Sequence, residues 1–348
     1  MAKKGLTKTN IPNLVDLEST WALCVGSGIS FPVFPMWDEL AKRIVHKYVP
    51  AAETEFSNLR TKMTPDIIMQ SAMEKAGISH HTFSLGLANT LYEDFFRGLS
   101  DEQLLLVKRC LVSDPATTRD IPWGDYIQIV IDKAGGHLTA LSLAETTLRL
   151  REHNRAPSAI LSFNAEMLFG SLLNALAFER YGIRNRFFDY LIGPISNHFK
   201  DRIPYYFCHG VMPVPGTSKM KHRFDAEDKL VFLENEYLQL ANSSYSWQSS
   251  AFINTLSTHT VFFVGLSLAD ANIRRWLAWL QRERLFDIQR RTRRKCYAST
   301  SHYWIEKNPG NDEIMRMMES SVSHLGIRII WIDDWRDVSY VIEKGIVV

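Results

Sequence analysis

The sequence predicts an α/β protein, a parallel β-sheet flanked by helices with a helical insertion or lobe. Two observations carry that prediction. In the second half of the chain short apolar runs alternate with amphipathic stretches, the order expected of βαβ units. Between residues 50 and 150, apolar residues instead recur at three- and four-residue spacing with no β-branched alternation. With 348 residues, 46% of them apolar and 22% charged, the chain can build a large core.

The elements follow in order. Trp21–Val25 is an apolar run stopped by Gly26, a buried strand. Met36–Tyr48 has helical spacing, with Trp37, Leu40, Ile44 and Val45 on one face. Residues 83–97, 102–111 and 137–151 carry the helical pattern of the lobe. Strands are then expected at Ser158–Phe163, Pro204–Cys208, Thr260–Gly265, Lys295–Trp304 and Ile327–Ile332. Helices are expected at Glu166–Arg180, from Ala269 to about Arg284, and at Asp312–Ser323 and Trp335–Lys344. Residues 1–348 read as a single domain, with 50–150 as an insertion within it.

A net charge of +2 excludes whole-molecule electrostatics as a reason to bind nucleic acid or membrane. Cys24, Cys110, Cys208 and Cys296 include no Cys-x-x-Cys pair, which excludes a zinc ribbon of the usual spacing. So few cysteines in a chain this long do not make a disulfide framework, and a reducing cytoplasm fits. Thr20–Trp37 has no charged residue, but Gly26, Gly28, Pro32 and Pro35 interrupt it, so no membrane span is expected. No continuous signal-peptide core follows Lys3 and Lys4. The expectation is a soluble cytoplasmic protein with no metal site.

Four polar motifs each follow an expected strand. Gly26-Ser27-Gly28-Ile29-Ser30 could let a backbone approach a phosphate, with two hydroxyls as further donors. It is a dinucleotide-type signal that lacks a third glycine, since Phe31 stands there; a tight turn without ligand explains it equally well. Asn164, in Phe163-Asn164-Ala165-Glu166, can orient a carboxamide or a water. It could as well cap a helix starting at Ala165, with Glu166 complementing the dipole. His209, in Cys208-His209-Gly210, is either a general base near a sugar hydroxyl or a structural histidine in a turn. In Val264-Gly265-Leu266-Ser267-Leu268-Ala269-Asp270, Gly265 permits close approach, Ser267 could bond a ribose or phosphate, and Asp270 reads as a helix cap. Ligands sit beyond the carboxyl ends of parallel strands, so four such motifs would converge on one crevice of a Rossmann-like sheet, a nucleotide site.

In this order the motifs resemble the sirtuin-like family, specifically its bacterial defence branch. The resemblance runs from about residue 20 to the end. Besides the four motifs it rests on Pro35-Met36-Trp37-Asp38-Glu39-Leu40, Leu233-Glu234-Asn235-Glu236-Tyr237, the extension Asn272-Ile273-Arg274 and the last strand Gly326–Trp331. Glu166 stands where the family has aspartate, and Phe163 where it has a small or polar residue. The resemblance implies that Gly26, Ser27, Gly28 and Ser30 cradle the pyrophosphate of NAD, with Glu166 beside the nicotinamide. Asn164 would position nicotinamide or the attacking water, His209 would assist at the ribose, and Gly265 and Ser267 would hold the adenosine side.

The activity implied is NAD hydrolysis to nicotinamide and ADP-ribose, with NAD as substrate and no zinc, by the NAD-depleting effector of an antiphage defence system. A non-catalytic NAD- or ADP-ribose-sensing module and an NAD-dependent protein deacylase are the alternatives. The lack of a zinc ribbon argues against the deacylase. The resemblance further implies a homo-oligomer working with a separately encoded subunit, a HerA-like ATPase or an Argonaute-like protein. The basic run Arg290, Arg291, Arg293, Arg294 and Lys295 could bind nucleic acid or an acidic subunit, or be a solvated loop. Trp276-Leu277-Ala278-Trp279-Leu280 reads as a buried helix face or an oligomer contact.

Overall fold

A computed structural model describes residues 5–112, 121–182, 187–193, 201–217, 230–242, 246–293 and 299–346. The described strands are β1 (Leu6–Thr7), β2 (Trp21–Val25), β3 (Ala159–Ser162), β4 (Phe188–Leu191), β5 (Ile203–Phe207), β6 (Thr260–Val264), β7 (His302–Lys307) and β8 (Ile327–Ile332). They form one sheet in the order β1-β8-β7-β6-β2-β3-β5-β4, and every pairing is parallel. This is the expected α/β, Rossmann-like fold. β2 and β3, at the centre, are buried at every residue, as strands covered on both faces must be.

The helices are α1 (Trp37–Tyr48), α2 (Phe56–Arg60), α3 (Pro65–Ala76), α4 (His80–Phe96), α5 (Asp101–Val112), α6 (Trp123–Ala134), α7 (Thr139–Glu152), α8 (Leu168–Tyr181), α9 (Glu234–Asn242), α10 (Trp247–Thr258), α11 (Ala271–Thr292), α12 (Asp312–Ser323) and α13 (Val338–Gly345). Successive strand residues point to opposite faces, so the sheet feeds two apolar layers. Leu23, Val25, Ile160, Phe262 and Val264 pack with α1, with α3 to α8 and with α13. Ala22, Cys24, Leu161, Val261 and Phe263 pack with Phe252 of α10, Trp276 and Leu277 of α11 and Val322 of α12. Residues 50–112 and 121–152 are helical and carry no strand, as expected, and they lie in the first layer.

The register sets up the site. Val25 is level with both Ser162 and Val264, and Ser162 is level with Phe207. Four strand tips therefore end on one line. From β2 the chain adds β3, places β4 at the edge and inserts β5 between them, then returns to the other side of β2 with β6. The reversal opens a crevice at the carboxyl end of β2.

Several boundaries differ from expectation. Helix α8 starts at Leu168 rather than Glu166, because the Glu166 side chain accepts the Leu168 N–H and so lies outside the helix. Helix α11 continues past Arg284 to Thr292, where the apolar pattern has faded but Asp287 pairs with Arg290 and Arg291. β7 begins at His302, not Lys295, because β6 and β8 offer partners only from there; residues 294–298, including Arg294, Lys295 and Cys296, lie outside the described residues. β1, β4, α9 and α10 have no counterpart in the sequence reading.

Candidate functional site

The glycine loop after β2 and the loop after β6 interlock. Gly26 N–H donates to Val264 O at 3.0 Å and Gly28 N–H donates to Gly265 O at 3.0 Å. A Cβ on Gly26 would lie 2.6 Å from Gly265 O, and one on Gly28 would lie 2.9 Å from Gly265 Cα. Gly265 has φ +68°, a left-handed conformation that glycine adopts without penalty, and its own Cβ would meet Ile29 N at 2.6 Å. These glycines thus allow two backbones to touch at the switch point. Ile29 and Ser30 N–H groups also donate within the loop, to Gly26 O and Ser27 O. The backbone donors of Gly26, Gly28, Ile29 and Ser30 are therefore already engaged.

Behind this loop is a buried polar network. Ser30 Oγ donates to Glu166 Oε1 at 2.6 Å. Asn164 Nδ2 donates to the same oxygen at 2.8 Å and to Ser30 Oγ at 3.3 Å. Glu166 Oε2 accepts the Leu168 N–H at 2.5 Å, covering the first turn of α8. Burial raises the Glu166 carboxyl above its ordinary range, against the lowering effect of Ser30, Leu168 and Asn164. Asn164 is not the helix cap that its position also suggested; the cap residue is Met167, and Glu166, just before it, accepts the first N–H of the helix. Its amide is oriented, with Nδ2 held by a carboxylate, and its buried Oδ1 has no hydrogen-bond partner.

His209 follows β5 and packs against Phe163, the residue before Asn164. Its ring stands edge-on to Phe163, with centroids 4.8 Å apart, and edge-on to Tyr237 of α9 at 5.4 Å. Nε2 is 3.5 Å from Asp270 Oδ2, while the buried Nδ1 has no partner. The other Asp270 oxygen caps α11, accepting from Asn272 N at 2.7 Å and Ile273 N at 3.1 Å, as the sequence suggested. Burial would raise Asp270, but His209 and these two N–H groups bring it below its ordinary value.

Ser27, Ser30, Asn164 and Glu166 line one pocket, together with Phe34, Trp37, Leu91 and Phe232. Free space in it is about 30 Å3, room for a water or two rather than a nicotinamide ring. Trp37 and Phe232 face each other across it with ring centroids 4.8 Å apart. His209 adjoins the pocket through Phe163. Gly26, Gly28 and Gly265 touch one another without lining this pocket, and Ser267 lies exposed in the loop after β6 with its hydroxyl accepting the Ala269 N–H.

Two features were missed in the sequence. The Asp270–His209 pairing joins residues 61 positions apart, as their numbers show, and had no local signal. Leu91, from the helical lobe, was visible only as one apolar position among many.

Among the described residues no group of three or more His, Cys, Asp or Glu could hold a metal ion, and no helix is long and apolar enough to cross a membrane. No curated protein matches the chain. The family model of the SIR2-like domain matches residues 172–330. That span includes β4 to β7, most of β8, His209, Gly265, Ser267 and Asp270, and begins after the glycine loop and Asn164. A SIR2-like domain implies NAD binding, and the crevice at the sheet's reversal point is where such a fold binds a dinucleotide. The SIR2-like match, over residues 172–330, and the all-parallel sheet support a likeness to the sirtuin family.

Proposed function

We propose that the protein hydrolyses NAD at the nicotinamide–ribose bond, releasing nicotinamide and ADP-ribose, as the NAD-depleting effector of a bacterial antiphage defence system. One observation carries the reading. Asn164, which lines the pocket, is locked by Glu166 and Ser30 with its Oδ1 unsatisfied, and the neighbouring pocket residue Phe163 packs against His209, whose Nδ1 is also unsatisfied. A buried acceptor without a partner costs roughly 1–3 kcal/mol, and a ligand that donates to it recovers that energy.

In the proposed reaction nicotinamide leaves as a neutral molecule from a cationic precursor, and positive charge develops at the ribose. Asn164 Oδ1 accepts from the nicotinamide carboxamide or from the attacking water, fixing its approach. His209 accepts a proton from a ribose hydroxyl or that water. The buried Glu166 carboxylate, when ionised, adds negative potential near the developing cation. Because the backbone donors of the glycine loop are engaged, Ser27 is the group of that loop assigned to the pyrophosphate, and Ser267 the group assigned to the adenosine side. Gly26, Gly28 and Gly265 keep the reversal point free of side chains. The ring of nicotinamide enters by parting Trp37 from Phe232.

Nicotinamide release from NAD by the purified chain, compared with Asn164→Ala, tests the proposal. The variant is expected to lose on the order of 100-fold or more in kcat. Equal turnover by both proteins would refute the assignment. Binding of NAD or ADP-ribose without release would indicate a sensing module, and O-acyl-ADP-ribose formed from an acyl-lysine peptide would indicate a deacylase. We further propose that the 50–150 lobe is an insertion in a single domain, and that a cytoplasmic homo-oligomer is controlled by a separately encoded HerA-like ATPase or Argonaute-like protein. A monomeric mass at all concentrations would count against self-assembly.

A further inference from the structure

We infer that Asp270 is a positioning residue: it selects the His209 tautomer that keeps Nδ1 free to accept a proton, while its second oxygen starts helix α11. This inference deepens the proposed reaction and rests on it for the identity of the proton donor.

The geometry gives Asp270 two separate tasks. Oδ1 receives the Asn272 and Ile273 N–H groups at 2.7 and 3.1 Å, which anchors the carboxylate to the first turn of a long helix. Oδ2 is left pointing at His209 Nε2, 3.5 Å away. A carboxylate can only accept, so the proton of a neutral imidazole is drawn to Nε2 and the lone pair is left on Nδ1. Nδ1 is the ring nitrogen that is buried without a partner. The ring cannot swing freely, because Phe163 and Tyr237 both stand edge-on to it. The 3.5 Å separation is at the outer limit of a hydrogen bond, a spacing that catalytic pairs commonly show before substrate binds.

The other titratable groups near the pair leave Asp270 as its charged partner at neutral pH. Burial pushes the Tyr237 phenol well above its ordinary value, with Asp270, Asp66 and Glu236 adding to the effect. Burial likewise pushes up the Cys208 thiol. Both stay uncharged. Asp270 therefore combines a backbone anchor with an electrostatic orienter in one side chain, which a simple cap would not require.

Asp270→Asn and Asp270→Ser separate the two tasks. Asparagine and serine are both strong helix caps, so α11 keeps its start and the melting temperature is expected to stay close to that of the native chain. Because the asparagine oxygen is held by the Asn272 and Ile273 N–H groups, its NH2 group turns to the ring without charge and favours a lone pair on Nε2. We expect kcat for nicotinamide release to fall by on the order of 100-fold in Asp270→Asn, with KM for NAD within about twofold. Asp270→Glu should recover part of the loss. Independently of turnover, long-range 1H–15N spectra of the full chain, with His209 assigned by His209→Gln, should show Nε2–H in the native protein and a changed tautomer in Asp270→Asn. An unchanged tautomer, or kcat within about threefold of native, would overturn the role of Asp270. If the native chain released no nicotinamide, the proposed reaction would fall, and the tautomer comparison would still decide what Asp270 does.

Discussion

Replacing Gly265 with alanine tests the interlock of the two loops at the sheet's reversal point. Gly265 sits at φ +68°, where an L-residue costs roughly 1–2 kcal/mol. The new methyl would also lie 2.6 Å from Ile29 N, 2.8 Å from Ile29 Cγ2 and 3.0 Å from Gly26 O. Two of these three atoms are backbone and cannot rotate away, so the loops must separate, at a further cost of about 1–3 kcal/mol. The unfolded chain offsets part of this, about 0.4–1 kcal/mol, because alanine has less freedom to lose. The net expectation for Gly265→Ala is about 2–4 kcal/mol of destabilisation, with loss of nicotinamide release.

Gly77 provides the control. It has nearly the same backbone conformation, φ +63°, but a Cβ there would meet nothing within 4 Å. Gly77→Ala should therefore cost only about 1 kcal/mol, the conformational part alone. Urea unfolding of both variants and the native chain gives the difference directly, provided the slopes agree. If the two substitutions cost the same within about 0.5 kcal/mol, the loops do not bear on each other and the interlock at the reversal point is wrong.

Two further outcomes follow from buried polar groups. Ser30→Ala removes one of three donors to Glu166 and a tether of Asn164; it should cost about 1–3 kcal/mol in unfolding free energy and lower kcat more than it raises KM, read by urea titration and steady-state kinetics. His302 is buried in β7, where burial, with Arg284 adding, pushes its imidazole down to about 3 from 6.5. Its lowered value means the unfolded chain takes up the proton first, so the stability it contributes is full above pH 6.5 and is lost as pH falls towards 3. At pH 5 the loss is about 2 kcal/mol, and His302→Gln should remove that part of the slope between pH 7 and 5 in denaturant titrations.

How much was legible in advance depends on how local each signal was. β2, β3, β5, β6 and β8 were visible because each is a short apolar run punctuated by glycine, asparagine or a charged residue. β1 and β4 were not. Two residues such as Leu6–Thr7 carry no period, and Phe188–Leu191 includes Asp189, buried there beside Arg202 at 2.9 Å. Asp270 was readable as a cap because capping needs only its own helix, whereas Asn164, equally suited to cap, was claimed by a carboxylate two residues on. Glu166 could be named as a site residue, but not as the hub that receives Ser30, Asn164 and Leu168 together.

The amino-acid order alone established the class of fold, the placing of polar residues just past strand ends, and the residues Ser30, Asn164, Glu166 and His209 as candidates. These depend on short-range periodicity and on chemistry carried by single side chains. Only the folded molecule decided that the four tips are level, that the glycines spend their smallness and much of their hydrogen bonding on each other, and which atoms of Asn164 and His209 remain unsatisfied. Register, close packing and the filling of hydrogen-bond valences are relations between distant segments, and no local stretch of sequence holds them.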